Sequence, residues 1–216
     1  MTLSVKLNSE QTSLEQKQRT LKLEQLRTAI RNQKRALRNE LTDTEQQQAA
    51  INISHQLNLA IGSANTVALY LANDGEVSPN QAIRLFTQQA RTILLPVMHA
   101  LKPNQLNFQV FTESTDLVAN KFNILEPKLS VADTYPLAQI DAIVMPLVAF
   151  DLTGNRLGMG GGFYDRTLSQ IHCLTVRPLL IGLAHDCQQE LSIPAQPWDM
   201  TLDIIVTPSK IININE

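Results

Sequence analysis

The run Arg156-Leu-Gly-Met-Gly-Gly-Gly-Phe-Tyr-Asp-Arg166 is the most informative stretch of this 216-residue chain. Of the eight glycines in the sequence, four lie within residues 158–162. A glycine in regular structure costs roughly 0.5–1 kcal/mol relative to alanine, and a simple turn needs only one or two. The benefit of so many is that backbone N–H groups can approach an anion without Cβ atoms in the way. The run therefore predicts a phosphate-binding loop in an α/β protein.

The predicted loop lies between a strand at residues 140–144 and a helix that begins at about Tyr164. The N-terminus of a helix adds partial positive charge, and Arg156 and Arg166 add full charges on either side of the loop. A flexible strand–helix connection is the alternative interpretation of the same glycines, and the residues alone leave it open.

Two common phosphate motifs are absent from this loop. A Walker loop ends in Gly-Lys-Ser/Thr, whereas Gly162 is followed by Phe163. A dinucleotide fingerprint counted from Gly158 would need its third glycine at Phe163 as well. Asp165 has two interpretations: it is a favourable residue in the first turn of a helix, or a Mg²⁺ ligand beside bound phosphates.

The segments before the loop predict helices that alternate with short strands. Residues from about 13 to 41 have leucine and isoleucine at helical spacing and contain no glycine or proline. Thr42 and Glu45 have the spacing of a capping box, so a second helix is predicted to begin there and to end near Gly62. A third helix is predicted to open at Ser78-Pro79.

Six apolar runs are predicted strands, and residues 112–136 are predicted to be mixed loop and short helix. The strands are expected at residues 66–72, 92–95 (ended by Pro96), 106–110, 140–144, 178–184 and 203–207. Strands separated by helices indicate a mostly parallel sheet that is covered on both faces.

Composition predicts a protein of the cytoplasm. Apolar residues make up 44% of the chain and charged residues 18%, and no apolar run is long enough for a membrane helix or a secretory signal. The two cysteines form no C-x-x-C pair. Residues 1–40 contain nine Lys/Arg and four Asp/Glu, a balance of +5, and the other 176 residues balance to −7. An acidic body argues against a broad nucleic-acid surface.

Six parts of the chain are similar to the 5-formyltetrahydrofolate cyclo-ligase family, also called methenyltetrahydrofolate synthetases, and they occur in the order of that family. The central run from Pro146 to Arg166 resembles the signature of that family. The other similar parts are residues 34–38, residues 71–77, Glu126-Pro127, residues 181–188 and residues 198–203.

The resemblance implies an enzyme that converts 5-formyltetrahydrofolate to 5,10-methenyltetrahydrofolate while ATP, with Mg²⁺, becomes ADP and phosphate. It also implies a three-layer α/β/α fold with a mostly parallel central sheet, preceded by a long N-terminal helix. Residues 1–30 are expected to be a helical extension and residues 31–216 a single α/β domain. The protein is expected to be a monomer that acts on small molecules, without nucleic-acid or membrane partners.

The resemblance also implies a set of site residues. For ATP these are Lys34, Arg35, Arg38, Arg156, Gly158, Met159, Gly160, Gly161, Gly162, Phe163 and Tyr164. For the folate they are Leu71, Glu76 and Tyr164; for magnesium, Asp165 and Asp203; and for catalysis, Tyr164 and Arg156. Without the resemblance, Lys34, Arg35 and Arg38 are more typical of a solvated helix face. Glu76 as a turn residue and Asp203 as a strand start are the alternative interpretations of those two positions.

One departure from the family pattern supports a different hypothesis. Many members have lysine where this chain has Gly161, so one cation near the phosphates is missing. A non-catalytic nucleotide-binding regulator of the same fold is therefore the alternative function. A small-molecule kinase of related fold is a third.

Overall fold

Two helices open the chain. The protein, studied as a computed structural model, is described over residues 3–214, with side chains described from residue 15 onward. Helix α1 (Leu3–Asn39) is followed by α2 (Asp43–Ala60). The Thr42 hydroxyl accepts from the Glu45 N–H over 3.3 Å, and Glu45 Oε2 accepts from the Thr42 N–H over 2.8 Å. The predicted capping box is therefore confirmed. Gly62, with φ +53°, follows the end of α2 as predicted.

An eight-stranded, mostly parallel sheet forms the centre of the molecule. Its order is β12-β11-β10-β7-β1-β2-β3-β6. The five strands from β11 to β2 are parallel, and β12, β3 and β6 extend the edges with antiparallel pairs. The strands of this sheet are β1 (Thr66–Ala68), β2 (Thr92–Met98), β3 (Leu106–Val110), β6 (Thr134–Tyr135), β7 (Ala142–Pro146), β10 (Leu179–Leu183), β11 (Ile204–Val206) and β12 (Ile211–Asn213).

Four further strands form two small hairpins, and two shorter helices complete the fold. The hairpins are β4 (Leu117–Ala119) with β5 (Leu125–Pro127), and β8 (Ala149–Phe150) with β9 (Arg156–Leu157). The helices are α3 (Asn80–Gln88) and α4 (Phe163–Leu168).

Both faces of the sheet are buried, which accounts for the three layers. Side chains alternate along a strand, so Ala142 and Val144 of β7 join one apolar cluster while Ile143 and Met145 join another. Helices α2 and α3 cover the first face, and α4 packs on the second. The predicted α/β class with a mostly parallel sheet and a long N-terminal helix is thus confirmed.

Two local predictions are wrong. Strand β2 continues through Pro96, where it was expected to stop. Because the pairing of β2 with β1 ends at Leu94, no carbonyl group of β1 loses a hydrogen bond through the missing N–H of Pro96. Residues 112–136, all of them described, contain β4, β5 and β6 and no helix.

Helix α1 runs without interruption through residue 30, where the extension was predicted to end. Arg27, on the N-terminal side of that boundary, is buried against the body of the protein. The start of the functional domain therefore stays a prediction. Among the described residues, no helix is both long and apolar enough to cross a bilayer.

Candidate functional site

A cleft of about 1170 Å³ opens at the carboxyl ends of the parallel strands β1, β2 and β7. This is the edge of an open α/β sheet at which ligands bind. The cleft has four walls: the ends of those strands, the β4–β5 hairpin, the glycine loop (residues 158–162) with α4, and α1 with residues 197–200. Of the predicted site residues, those lining the cleft are Leu71, Glu76, Arg156, Gly158, Met159, Gly160, Gly161, Gly162, Phe163, Tyr164 and Asp165.

The backbone of the glycine loop adopts conformations that favour glycine. Gly160 has φ +99° and Gly162 has φ +65°, both in the left-handed region. Among the described residues, no backbone N–H of residues 158–162 donates to a protein acceptor. These N–H groups, on residues that line the cleft, are therefore available to a ligand, as an anion-binding loop requires. Helix α4 has only six residues, so the helix-end charge expected from the sequence adds little.

Two arginines hold the glycine loop by its carbonyl groups. Arg31 Nε donates to the Gly158 oxygen over 2.9 Å, and Arg166 Nη1 donates to the Gly161 oxygen over 2.6 Å. Burial, together with the charge of Arg27, lowers the pKa of Arg31. Arg31 lines the cleft, and the site prediction missed it.

The signal for Arg31 was present in the sequence. Arg27, Arg31, Lys34 and Arg38 follow steps of four, three and four residues, which place all four on one face of α1. That face packs against the body, and three of the four side chains are buried. A basic stripe facing inward indicates an anion or a set of acidic partners. Acidic partners are present: Arg27, Lys34 and Arg38 pair with Asp199, Glu190 and Asp74.

Arg156 and Asp165 form a buried ion pair under the loop. Their Nη2 and Oδ1 atoms lie 2.6 Å apart, and the side chains are 4% and 18% exposed. Asp165 Oδ1 also accepts from the Met200 N–H over 3.1 Å. The Arg156 guanidinium lies 5.9 Å from the centre of the Tyr164 ring. Three predicted residues are thus brought together, and Asp165 Oδ2 accepts no hydrogen bond from the part of the chain that is described.

Glu76 is the acidic group at the strand end of the cleft. It follows a tight turn in which Asp74 and Gly75 have φ of 52° and 72°. Its Oε2 accepts from the Asn73 N–H over 3.1 Å. Burial raises the pKa of Glu76 to about 7. Burial, followed by the charge of Glu76, also raises the pKa of Tyr164, so that hydroxyl remains a hydrogen-bond donor.

The first helix contacts the site differently from the prediction. Arg38 is fully buried: its Nε donates to the Asp74 carbonyl, its Nη2 to the Asp74 carboxylate and its Nη1 to the Leu147 carbonyl, over 2.8, 2.8 and 3.2 Å. Arg35 forms a two-atom pair with the same carboxylate, over 2.7 and 3.0 Å. Hydrogen bonds from Arg35, first, and from Arg38 lower the pKa of Asp74 to about 2.

The side chain of Lys34 is also bound to groups of the protein. Its Nζ donates to the carbonyls of Cys187 and Gln189 over 3.1 and 2.6 Å and pairs with Glu190 at 3.1 Å. Lys34, Arg35 and Arg38 do not line the cleft. Carboxylate and carbonyl groups of the protein occupy most of their donors, and their binding to nucleotide phosphate stays a prediction.

Asp203 is not part of the cleft. It precedes β11, at the amino end of the parallel strands, and the cleft is at their carboxyl ends. Both carboxylate oxygens accept from Arg177, over 2.6 and 2.8 Å, and Oδ2 also accepts from the Leu180 N–H. The structure does not bring Asp203 together with Asp165, and the magnesium role of Asp203 stays a prediction. Within the described residues, no three His, Cys, Asp or Glu side chains cluster as metal ligands.

The β4–β5 hairpin supplies a wall that the sequence did not predict. Phe122 at its turn meets Phe163 edge to face, with ring centres 5.8 Å apart and planes at 87°. Glu126 Oε2 ties the hairpin to β2 by accepting from the Met98 N–H over 3.2 Å. The hairpin thereby places an aromatic ring opposite the start of α4.

Comparison with known proteins assigns the family. A family model described as the 5-formyltetrahydrofolate cyclo-ligase family matches residues 20–208. The chain belongs to the 5-formyltetrahydrofolate cyclo-ligase family. The predicted family is thereby confirmed.

Two relatives align with this cyclo-ligase family member over most of their sequence. It is 41% identical over 182 residues to a 5-formyltetrahydrofolate cyclo-ligase of Escherichia coli, covering 84% of this chain and 98% of that protein. For the enzyme of the same name from Haemophilus influenzae the identity is 42% over 190 residues, covering 87% and 98%.

Two solved structures of 5,10-methenyltetrahydrofolate synthetases have the same fold. The Aquifex aeolicus protein matches with a TM-score of 0.73 at 26% identity, covering 88% of this chain and 94% of that one. The Mycoplasma pneumoniae protein matches with a TM-score of 0.67 at 26% identity, covering 84% and 98%.

Proposed function

We propose that the protein cyclises 5-formyltetrahydrofolate to 5,10-methenyltetrahydrofolate, with ATP converted to ADP and phosphate. The observation that carries this proposal is one cleft that joins a glycine loop, flanked by Arg31 and Arg166, to the buried carboxylate of Glu76. A phosphate-binding part and a part suited to a polar ring system therefore share one cavity. The family to which the chain belongs supports the same reaction.

The two substrates are assigned to different walls of the cleft. The free N–H groups of residues 158–162 hold the triphosphate, and Arg31, Arg156 and Arg166 supply positive charge around it. Leu71 and Glu76 hold the pterin at the strand ends, where the carboxyl group of Glu76 faces its N–H groups. Lys34, Arg35 and Arg38 act by fixing the segments that carry these residues, since most of their donors are bound to protein acceptors.

The reaction proceeds in two steps. In the first, the formyl oxygen attacks the γ-phosphorus, an oxygen–phosphorus bond forms, and the bond to the leaving ADP breaks. In the second, N10 attacks the activated formyl carbon and loses its proton, and phosphate departs with the electrons of the carbon–oxygen bond. The second step is intramolecular, so ring geometry supplies much of its acceleration. The protein contributes mainly alignment and charge.

Tyr164 and Arg156 are the proposed catalytic residues. The phenol of Tyr164 stays protonated and lines the same cleft as Glu76 and the glycine loop, which suits a hydrogen bond to the formyl oxygen. Arg156 lies next to the Tyr164 ring, and its Nε has no acceptor among the described residues. Its buried guanidinium can therefore stabilise negative charge on the transferring group.

Magnesium fits beside Asp165. Proteins hold Mg²⁺ with one or two carboxylates together with substrate phosphates, and Asp165 Oδ2 is an open ligand next to the glycine loop. Bound there, the ion would neutralise charge on the transferring phosphoryl group. Asp203 is left out of this assignment because Arg177 occupies its carboxylate.

The regulator hypothesis has two motives: the missing lysine at Gly161 and the basic N-terminal extension of residues 1–30. In the structure, a Cβ at Gly161 would lie 2.8 Å from the Phe163 ring, so this ring position excludes a longer side chain. Arg166 places a guanidinium nitrogen 2.6 Å from the Gly161 oxygen. A cation is thus present at this end of the loop without lysine, and catalysis is the better-supported function.

An absorbance assay tests the proposal. The protein is mixed with 5-formyltetrahydrofolate and Mg²⁺, with and without ATP, and the methenyl band is followed. Cyclisation predicts a rise that requires ATP, with one ADP released per methenyl group formed. ATP binding with no rise would support a regulator, and ADP release that depends on a substrate other than a folate would support a small-molecule kinase.

A further inference from the structure

The only tryptophan of the chain stands at the α1 end of the cleft. Trp198 is 65% exposed, although it lines the cleft together with Arg27 and Asp199. Neither the proposed phosphate site nor the pterin site uses it. A large exposed aromatic side chain inside a cleft is an unpartnered stacking surface.

The backbone on either side of Trp198 is held rigidly. Arg27 binds the Asp199 carboxylate through two atoms, over 2.6 and 3.3 Å, and donates to the Pro194 carbonyl over 2.7 Å. The Asp199 carboxylate also accepts from the Gln196 N–H over 2.8 Å. On the other side, the Met200 N–H donates to Asp165. Trp198 is therefore presented from a turn fixed between α1 and α4.

The contacts of helix α1 show the order in which three parts of the cleft follow one another along the helix. Arg38 contacts the turn that carries Glu76, Arg31 contacts the glycine loop, and Arg27 contacts the turn that carries Trp198. A helix rises 1.5 Å per residue, so the first and last of these contacts lie about 16 Å apart along α1. The glycine loop lies between them. The pterin end and the tryptophan end are thus on opposite sides of the triphosphate.

We propose that Trp198 stacks against the purine base of the nucleoside triphosphate. The γ-phosphate must point toward the formyl group at the Glu76 end, so the nucleoside extends in the opposite direction, along α1. Stacking reads the flat face of a base, so it accepts different purines. This assignment depends on the proposed function, since it concerns the nucleotide of that reaction.

Calorimetry with two probes tests the assignment. Mg²⁺-ATP and Mg²⁺-tripolyphosphate, which has the phosphates without a base, are each titrated into wild type, Trp198→Ala and Trp198→Phe. For Trp198→Ala, the Kd for ATP is expected to rise about tenfold, from the size of base–aromatic stacking, while the Kd for tripolyphosphate stays unchanged. Trp198→Phe keeps an aromatic face, and its Kd for ATP is expected to rise less than about threefold.

The other outcomes distinguish a failure of the Trp198 assignment from a failure of the proposed function. An unchanged ATP affinity in Trp198→Ala would overturn the assignment alone, with the proposed function intact. An equal loss for both probes would also overturn it, because the side chain would then support the loop and not the base. A wild-type protein that binds neither probe would overturn the assignment together with the proposed function.

Discussion

The carboxyl group of Glu76 is buried at the strand end of the cleft, with its pKa raised to about 7 from an ordinary value of 4.5. Between these two pH values the folded protein keeps a proton that the unfolded chain releases. The folded state binds more protons there, so the contribution of Glu76 to stability falls as pH rises through this window. The carboxyl group that we propose to bind the pterin therefore makes the fold less stable at neutral and alkaline pH.

Glu76→Gln should remove this pH dependence, because the amide keeps the shape of the side chain without the charge. Urea unfolding at pH 5 and pH 8 measures the free energy of unfolding of both proteins. Relative to wild type, the variant should be more stable at pH 8 than at pH 5 by up to about 3 kcal/mol. Turnover should fall in the same variant if the carboxyl group contacts the pterin. A stability gap that is equal at both pH values would contradict the raised pKa.

Asp165 and Asp203 offer a matched pair of substitutions. Asp165→Asn keeps an acceptor for Arg156 and the Met200 N–H but removes the charge offered to magnesium. Its Mg²⁺-dependent turnover should fall about 100-fold or more, which is the usual effect of losing one charge-stabilising group. The initial rate of methenyl formation, measured across a Mg²⁺ titration, checks this.

Asp203→Asn is the control, because it also loses one charge from an ion pair. It should lose about 1 kcal/mol of stability with Arg177 left unpaired, and its Mg²⁺ requirement should match that of wild type. A shifted Mg²⁺ requirement in Asp203→Asn, with a normal one in Asp165→Asn, would reverse the metal assignment.

At the scale of elements, Gly162 is the left-handed residue at which the glycine loop enters α4. A Cβ there would lie 2.7 Å from Arg166 Nη1, the atom that holds the Gly161 carbonyl. Gly162→Ala should therefore displace Arg166 as well as add about 1 kcal/mol of backbone strain. The KM for ATP should rise, and steady-state kinetics at saturating folate measures it.

Gly62→Ala separates loop function from strain. Gly62 has a similar φ of +53°, follows α2 away from the cleft, and has no atom within 4 Å of an added Cβ. It should lose comparable stability and keep a wild-type KM for ATP. Equal KM values in both variants would mean that the glycine loop does not hold the nucleotide.

The elements that the sequence predicted well are those with strong local signals. Four glycines in five residues identified the loop, and Thr42 with Glu45 identified the start of α2. The β4–β5 hairpin was missed because each of its strands has only three residues, too few for an alternating pattern. Its turn at Asn120–Asn123, with Asn123 at φ +59°, was the available signal.

At the scale of the whole molecule, the alternation of strands and helices was sufficient to predict the α/β class. It did not predict which charged groups face the cleft, because that depends on contacts between distant parts of the chain. Lys34 and Arg31 are three residues apart on the same face of α1, yet only Arg31 lines the cleft. Lys34 meets carbonyls that lie more than 150 residues later, and no local pattern predicts such partners.

The pairing of Arg27 with Asp199 joins residues 172 positions apart. During synthesis, α1 leaves the ribosome long before the segment that it binds has been made. Arg27 therefore lacks Asp199, and Lys34 lacks Glu190, for most of translation. Asp74, the partner of Arg38, is made much earlier. The proposed nucleotide site is complete only when nearly the entire polypeptide has emerged, so we expect an incomplete translation product to bind little ATP.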